Sequence, residues 1–325
     1  MEKRIIIKFL LKLMVFCVFL ILTDQILGFT FKKIYFKQYV GQFSQTTYAV
    51  DSANQDIMIF GSSRAVRHYS SSILSKGLGL SCYNSGRDGQ MIPYSTALEE
   101  VSLNRHKPKL IILDINPWEL GINQGKYEKL TALLPYCDKH NELIKYIKDI
   151  SPFETYKLLS KSYPYNSSTF ILATNTLFPN SVKKDNFGYL PLDGKMTSTE
   201  LKDYILRMNE RSVRIHQKKN FVDEKAKNYF VDFLNFSFKN KIKTLVVISP
   251  TILNNPFELD NQIMQKKLII GICGRYSNVT FVDYSTDFHF NYHPEKFSDV
   301  FHLNTQGSKE FSSILTSDIK SKYFN

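Results

Sequence analysis

The stretch Ile57–Arg64, which reads Ile-Met-Ile-Phe-Gly-Ser-Ser-Arg, decides the fold. Its four consecutive apolar residues predict a strand that is buried on both faces, because a strand with one wet face alternates apolar and polar residues. The Gly-Ser-Ser-Arg segment that follows would then lie at the carboxyl end of this strand. Strands of this kind are typical of parallel sheets covered by helices on both sides.

Four further short runs of apolar residues have the same character. They are Leu80–Tyr83, Lys109–Ile115, Thr244–Ser249 and Val279–Asp283. A candidate helix lies between each run and the next, for example at about 221 to 240. This alternation predicts an α/β domain with a flavodoxin-like, three-layer α/β/α architecture and a parallel sheet of about five strands.

A long interruption separates the third and fourth of these strands, at about 121 to 220. It begins helically, since Ser151–Glu154 has the pattern of a capping box with proline at the first helical position. Its later part, Lys183–Met196, has the composition of a loop. We expect a mainly helical insertion that serves as a lid or partner surface rather than a second independent domain.

The N-terminal segment is long and apolar enough to cross a membrane. Ile5–Thr23 contains 19 residues, which as a helix span about 28 Å. Four basic residues precede Leu13 and favour a cytoplasmic N-terminus. No small-x-small cleavage site follows, which favours an anchor over residues 1–30 rather than a removed signal peptide or an interfacial helix. Residues 31–325 are then expected outside the cytoplasm, in a periplasmic or extracellular location.

The net charge of the chain is +12, of which residues 1–37 contribute +5 (seven basic against two acidic residues) and the remainder +7. This excess favours anionic surfaces or polymers without naming one. Zinc-finger spacings, RNA-binding signatures and basic helices with interleaved aromatics are lacking, which argues against nucleic acid as a partner. The three cysteines beyond the N-terminal segment allow at most one disulfide, and small core residues are the simpler interpretation.

Several residues with polar side chains, and a glycine with its backbone amide, follow the predicted strands and would meet at one edge of the sheet, where ligands bind in open α/β folds. They are Ser63, Gly89, Asn116, Asp299 and His302. A serine needs an adjacent base to act as a nucleophile, and a histidine oriented by a carboxylate provides one. Asp299 and His302 are three residues apart, so that on a helical turn both would face the same way. The N–H groups of Ser63 and Gly89 and the Asn116 amide could stabilise an oxyanion.

These residues resemble the blocks of the SGNH (GDSL-like) hydrolase superfamily. Gly61-Ser62-Ser63 resembles the first block with serine in place of the usual aspartate, and Asn84–Gly89 resembles the second. Asp114–Pro117 keeps only the asparagine of the third, and Asp299-Val-Phe-His302 resembles the last. The resemblance implies a catalytic triad of Ser63, His302 and Asp299, with Ser63, Gly89 and Asn116 lining the oxyanion hole and neither metal nor cofactor.

With the N-terminal anchor, the chain looks like a membrane-bound subset of this superfamily that includes the teichoic acid D-alanyl transfer protein and exopolysaccharide O-acetylation proteins. That likeness implies ester hydrolysis or O-acyl transfer on a cell-surface polysaccharide or other acylated envelope polymer, beside a membrane-bound acyltransferase.

Other interpretations of the same residues remain open. Ser63 could cap the following helix, Asn84, Gly89 and Asn116 could be turn residues, and Asp299 with His302 could be a surface pair. The chain as a whole could be a non-catalytic binding or assembly protein of the envelope. A third hypothesis makes Gly61–Arg64 a phosphate cradle for a flavin or another phosphate ligand.

Overall fold

The structure, a computed structural model, describes residues 2–179, 187–215, 222–252 and 260–323. Its helices are α1 (Glu2–Phe36), α2 (Gly41–Asp51), α3 (Ser63–His68), α4 (Ser71–Leu78), α5 (Ile92–Arg105), α6 (Gly125–Glu128), α7 (Ile144–Ile147), α8 (Glu154–Lys157), α9 (Thr169–Leu177), α10 (Ser198–Ile215), α11 (Glu224–Lys239), α12 (Asp260–Cys273) and α13 (Thr305–Asp318). Its strands are β1 (Ile57–Phe60), β2 (Cys82–Asn84), β3 (Leu110–Asp114), β4 (Lys243–Ile248) and β5 (Val279–Asp283).

The five strands form one parallel sheet in the order β2-β1-β3-β4-β5. This is the strand order of flavodoxin-like folds, and it confirms the fold class predicted from the apolar runs. The order reverses between β1 and β3, where Phe60 pairs with Leu113. A crevice forms at such a switch point beyond the carboxyl ends of the strands, so the residues after β1 and β3 lie where ligands bind.

Both faces of the sheet are covered because successive side chains of each strand point to opposite sides. Ile59, Ile112 and Val247 belong to a buried cluster that includes Phe311 and Leu315 of α13. On the other face the ring of Phe60 meets that of Phe233 of α11 at a centroid distance of 5.6 Å. Each large apolar side chain buried in this way contributes about 1.5–3 kcal/mol.

The chain divides into two compact units. The first contains Met1–Ser44 and Thr131–Val182, and the second contains Gln45–Leu130 and Lys183–Asn325. The sheet and its covering helices belong to the second unit. The insertion expected at about 121 to 220 is mainly helical where it is described, and its residues are shared between the two units.

Helix α1 extends well beyond the apolar stretch from which it was predicted, through Asp24 to Phe36. Its apolar part has a mean hydropathy of 2.8 over 18 residues and is not buried within the protein, so α1 is long and apolar enough to span a membrane. The last two turns have a different environment. Tyr35 is buried, and its ring packs against those of Phe43, Tyr136 and Tyr165.

Helix α8 begins later than the capping-box pattern at Ser151–Glu154 predicted. The Ser151 hydroxyl accepts a hydrogen bond from the Phe153 N–H and donates to Glu154. These contacts hold residues 152 and 153 in a turn, and α8 begins only at Glu154. The hydrogen bond from the Phe153 N–H to the Ser151 hydroxyl therefore competes with formation of the first helical turn.

The part of the expected loop that the structure describes, residues 187–196, is irregular and belongs to the second unit, whereas 183–186 lie outside the described residues. Its N–H and C=O groups pair with the domain core, for example Leu190 N–H with the Val66 carbonyl. Gly188 has φ +83° and passes so close to β2 that a Cβ would overlap the Asn84 carbonyl oxygen. Elsewhere in the two units, Cys82, Cys137 and Cys273 are buried and unbridged, as expected of core residues.

Candidate active site

Ser63 is the first residue of α3, directly after the turn that ends β1. Gly61 forms this turn with φ +143°, and a Cβ there would lie 2.6 Å from the Asp114 carbonyl oxygen. The helix is capped by Ser62, whose hydroxyl accepts from the Arg64 N–H. Ser62 therefore caps the helix, and the Ser63 side chain is available for other contacts.

Asp299 and His302 do not lie on a helical turn, contrary to the expectation from their spacing. The Asp299 carboxylate accepts hydrogen bonds from the N–H groups of Phe301 (2.8 Å) and His302 (3.0 Å), and these bonds hold the segment in a tight turn. The turn is closed by the Ser298 N–H, which donates to the His302 carbonyl over 2.9 Å. Side-chain capping of the backbone has replaced the helical hydrogen bonds.

The structure brings Ser63, His302 and Asp299 into one chain of hydrogen bonds. His302 Nδ1 lies 2.9 Å from Asp299 Oδ2, and His302 Nε2 lies 2.8 Å from the Ser63 hydroxyl oxygen. An ionised carboxylate only accepts, so the Nδ1 proton faces Asp299 and Nε2 is left to accept the Ser63 proton. This is the arrangement that a serine nucleophile and its general base require.

Two effects act against each other on the Asp299 carboxyl. Burial raises its pKa, while the hydrogen bonds from the His302 ring and from the N–H groups of Phe301 and His302 lower it, and the net result lies below the ordinary value. The carboxylate is therefore charged at neutral pH. A charged acceptor fixes the imidazole tautomer and favours an imidazolium when His302 takes a proton.

Asn116 follows β3 and is buried, with one half of its amide occupied and the other free. Its Oδ1 accepts a hydrogen bond from Arg64, the residue after Ser63. Arginine can only donate, so Oδ1 must be the atom that faces it. The Nδ2 group is buried and has no hydrogen-bond partner among the described residues. A buried donor of this kind is suited to an oxyanion.

The other two candidate oxyanion donors are backbone groups. The Ser63 N–H is at the first position of α3 and has no acceptor within the helix. Gly89 adopts φ +72° in the segment after β2. That segment is joined to the turn before Ser63 by a hydrogen bond from the Arg87 N–H to the Gly61 carbonyl, 3.2 Å long.

Arg64 and His68 extend the site inward, and neither was assigned a role in the acyl-transfer site from the sequence. Arg64 is buried and donates to Asn116, to the Ser249 side chain (3.1 Å) and to the carbonyls of Ser249 and Pro250. It thereby connects the segments that follow β1, β3 and β4. The position of Arg64 directly after Ser63 was the one feature of the sequence that pointed to a role in the site.

His68 ends α3 and is fully buried. Its Nδ1 lies 3.1 Å from the Ser249 hydroxyl, and its Nε2 accepts from the Leu303 N–H over 3.1 Å. Burial, together with the positive charges of Arg64 and His302, lowers its pKa well below the ordinary value. His68 is therefore neutral, and its ring packs edge-on to the His302 ring.

Asn84 and two further histidines, His289 and His293, have other environments. Asn84 is buried, and its amide donates to the carbonyls of Ala65 within α3 and of Tyr69 just after it, which is a structural contact. His289 and His293 pair separately with Asp287 and Glu295. Across the described ranges, no group of three or more His, Cys, Asp or Glu residues is placed to hold a metal ion.

No protein-family model matches this sequence, and no curated protein matches it either. Among solved structures, the chain is similar to one described as "a putative platelet activating factor from Streptococcus pneumonia". The two chains are 12% identical, with a TM-score of 0.39 over 91% of this chain and 97% of the other.

Proposed function

We propose that this protein is a serine acyl-ester hydrolase or O-acyltransferase in which Ser63 is the nucleophile, His302 the general base and Asp299 the group that orients the base. The proposal depends on one observation, the continuous hydrogen-bond chain from the Asp299 carboxylate through His302 to the Ser63 hydroxyl, with distances of 2.9 and 2.8 Å. A capping role for Ser63, or a simple surface pair of Asp299 and His302, would not account for this chain of hydrogen bonds.

In the proposed reaction the Ser63 oxygen attacks the carbonyl carbon of an acyl ester while its proton passes to His302 Nε2. The resulting oxyanion accepts hydrogen bonds from the Ser63 and Gly89 N–H groups and from Asn116 Nδ2. His302 then returns the proton to the leaving alcohol, which leaves the acyl group on Ser63. Water, or the hydroxyl of an acceptor, is deprotonated by His302 and releases the acyl group by the reverse steps.

The proposed substrate is an acylated polysaccharide or another envelope polymer outside the cytoplasm. The side chains of Asp299 and His302 are 49% and 21% exposed, so the base is open to a substituent on a bulky chain. The basic surface of the protein favours anionic polymers of this kind. The choice between water and an acceptor hydroxyl, and with it the proposed partnership with a membrane-bound acyltransferase, depends on how well water is excluded.

We also propose that α1 is retained as a single-pass anchor. The same unbroken helix that carries the apolar stretch continues into Tyr35, which is buried in the first unit. Removal of a signal peptide would cut a helix whose second half belongs to a folded unit. The positive residues before Leu13 favour a cytoplasmic N-terminus and an extracytoplasmic remainder.

The proposal is tested by labelling the full-length protein in detergent with a serine-directed fluorophosphonate and by following hydrolysis of an acetyl ester. We expect labelling and turnover in the wild type, their loss in Ser63→Ala and His302→Ala, and their retention in Ser313→Ala, which alters an exposed serine on α13. Equal labelling of Ser63→Ala would refute the assignment. A folded wild type without labelling or turnover would favour a non-catalytic envelope protein.

A further inference from the structure

Three large apolar side chains of the first unit point into solvent at regular spacing. Phe153, Tyr156 and Leu159 are 66%, 70% and 78% exposed. They are three residues apart, and the N–H groups of Tyr156 and Leu159 each donate to the carbonyl three residues back (both 3.1 Å), so the three side chains lie on one face of these turns. We call these three residues the apolar collar. Contiguous apolar surface of this kind marks a site of interaction with a protein or a membrane.

The segment that carries the collar is joined to α1 at the end of its apolar stretch. The Asp24 carboxylate accepts hydrogen bonds from the hydroxyls of Ser160 and Ser162 (both 2.6 Å) and from the Lys161 N–H (2.7 Å). One turn further along α1, the backbone of Lys161 lies so close that a Cβ on Gly28 would be 2.5 Å from its carbonyl carbon. Leu159 therefore lies one residue from a tight contact with α1 at Asp24.

The position of Asp24 relative to a bilayer follows from the length of the apolar stretch. Residues 5–23 span about 28 Å as a helix, close to the thickness of about 30 Å of a hydrocarbon core. Asp24 then lies at the boundary between hydrocarbon and headgroups. The outward face of α1 is still apolar just beyond it, since Ile26 and Phe29 are exposed. Apolar surface thus continues from α1 past the depth at which the collar is attached.

We propose that the apolar collar inserts into the interfacial region of the lipid bilayer beside α1, so that this protein contacts the membrane through a second surface besides its anchor. The inference rests on the proposed retention of α1 as an anchor. Its physical basis is that aromatic and apolar side chains are stable at the depth of the headgroups and acyl-chain boundary, where the exposed Lys161 can reach the phosphates with its charged end.

A matched control lies in the same unit. Leu177 is 70% exposed, close to the exposure of Leu159. Its neighbour Thr176 accepts a hydrogen bond from Gln38, beyond the end of α1, over 3.0 Å. The helix rises about 18 Å between Asp24 and Phe36. A fluorescent residue placed at position 177 would therefore lie well away from the depth of Asp24 in the bilayer.

The test uses the full-length chain with its single native tryptophan removed by Trp118→Phe. Phe16→Trp, Leu159→Trp and Leu177→Trp are introduced one at a time and reconstituted into vesicles of phosphatidylcholine and phosphatidylglycerol with nitroxide-labelled acyl chains. We expect the tryptophan at 159 to emit further to the blue than the one at 177 and to be quenched several-fold more by the labelled lipid. Both leucines are exposed, so neither substitution removes a core contact.

The three variants separate the collar from the anchor. Strong lipid quenching at position 16 with equal, weak quenching at 159 and 177 would overturn the collar and leave the anchor intact. Absence of lipid quenching at position 16 would overturn the anchor and the collar together. Neither result would bear on the reaction at Ser63.

Discussion

The main-chain N–H of Leu303 donates a hydrogen bond to Nε2 of the buried His68 over 3.1 Å, although 235 positions separate the two residues. This contact fixes the chain one residue after His302. Because Nε2 accepts, the proton of the neutral ring is on Nδ1, where it can be donated to the Ser249 hydroxyl. His68 thus acts as a positioning residue that connects α3, which carries Ser63, with the turn that carries His302.

Replacing His68 by leucine should lower kcat of the proposed esterase while changing KM little, because the turn loses its acceptor and the imidazole of His302 shifts relative to Ser63. A displacement of about 1 Å can cost up to about 100-fold in rate. His68→Gln should recover part of the rate, since its carbonyl can accept from Leu303 and its amide can donate to Ser249. Steady-state kinetics on folded variants are the measurement, and an unchanged kcat in His68→Leu would argue against positioning.

Asn116 offers a second test, directed at the unpaired Nδ2 donor. Asn116→Ala and Asn116→Asp should each lower kcat by about 100- to 1,000-fold with little effect on KM, because both remove the donor to the oxyanion. The aspartate variant is the sharper of the two, since it preserves shape and the contact with Arg64. If Asn116→Asp kept the wild-type kcat, the oxyanion role of this amide would be wrong.

The sheet was predicted well from the sequence because the pattern that indicates each strand lies within a few consecutive residues. Each strand is a short apolar run, and the five runs, from Ile57–Phe60 to Val279–Asp283, coincide with the observed strands to within two residues. Knowing that parallel strands end at a common edge was then enough to bring Ser63 and His302 into the same neighbourhood.

What the sequence could not provide depends on contacts between distant residues. His68 and Arg64 carry no pattern that distinguishes them from other residues of a short helix, and their roles follow from Ser249, about 180 positions away. The helical turn expected at Asp299 is absent because its carboxylate binds two local N–H groups instead. The apolar run Ile5–Thr23 indicated α1 but not its continuation to Phe36, and the contacts of Asp24 with residues 160–162 are equally invisible in the sequence.

The backbone at Gly61 gives a prediction about stability. Gly61→Ala should destabilise the protein, because its φ of +143° is unfavourable for alanine and the new methyl group would meet the Asp114 carbonyl oxygen. Gly271→Ala is the matched control, since Gly271 lies on α12 with nothing within 4 Å of an added Cβ. There, alanine should stabilise the helix by up to about 1 kcal/mol. Thermal unfolding of the full chain in detergent should move in opposite directions for the two variants.

The last prediction concerns pH and the buried Glu119, whose Oε1 accepts from the Asn116 N–H. Burial raises its pKa from 4.5 to about 8, a shift that the hydrogen bonds from the N–H groups of Asn116 and Ile92 only partly offset. Between these two values the folded protein holds a proton that the unfolded chain releases. The free energy of unfolding should therefore fall as pH rises through this range, by roughly 1.4 kcal/mol per pH unit, and level off above about pH 8.

Glu119→Gln isolates this contribution, because glutamine does not titrate and its carbonyl can still accept from one of the two N–H groups. The melting temperature of the variant minus that of the wild type should rise steadily from about pH 5 to about pH 8. Glu99 and Asp114 are two further buried carboxyls with raised pKa values, and their own titration is present in both proteins. A difference that stays constant with pH would mean that Glu119 is ionised in the folded protein, with Lys126 and the two N–H donors compensating its burial.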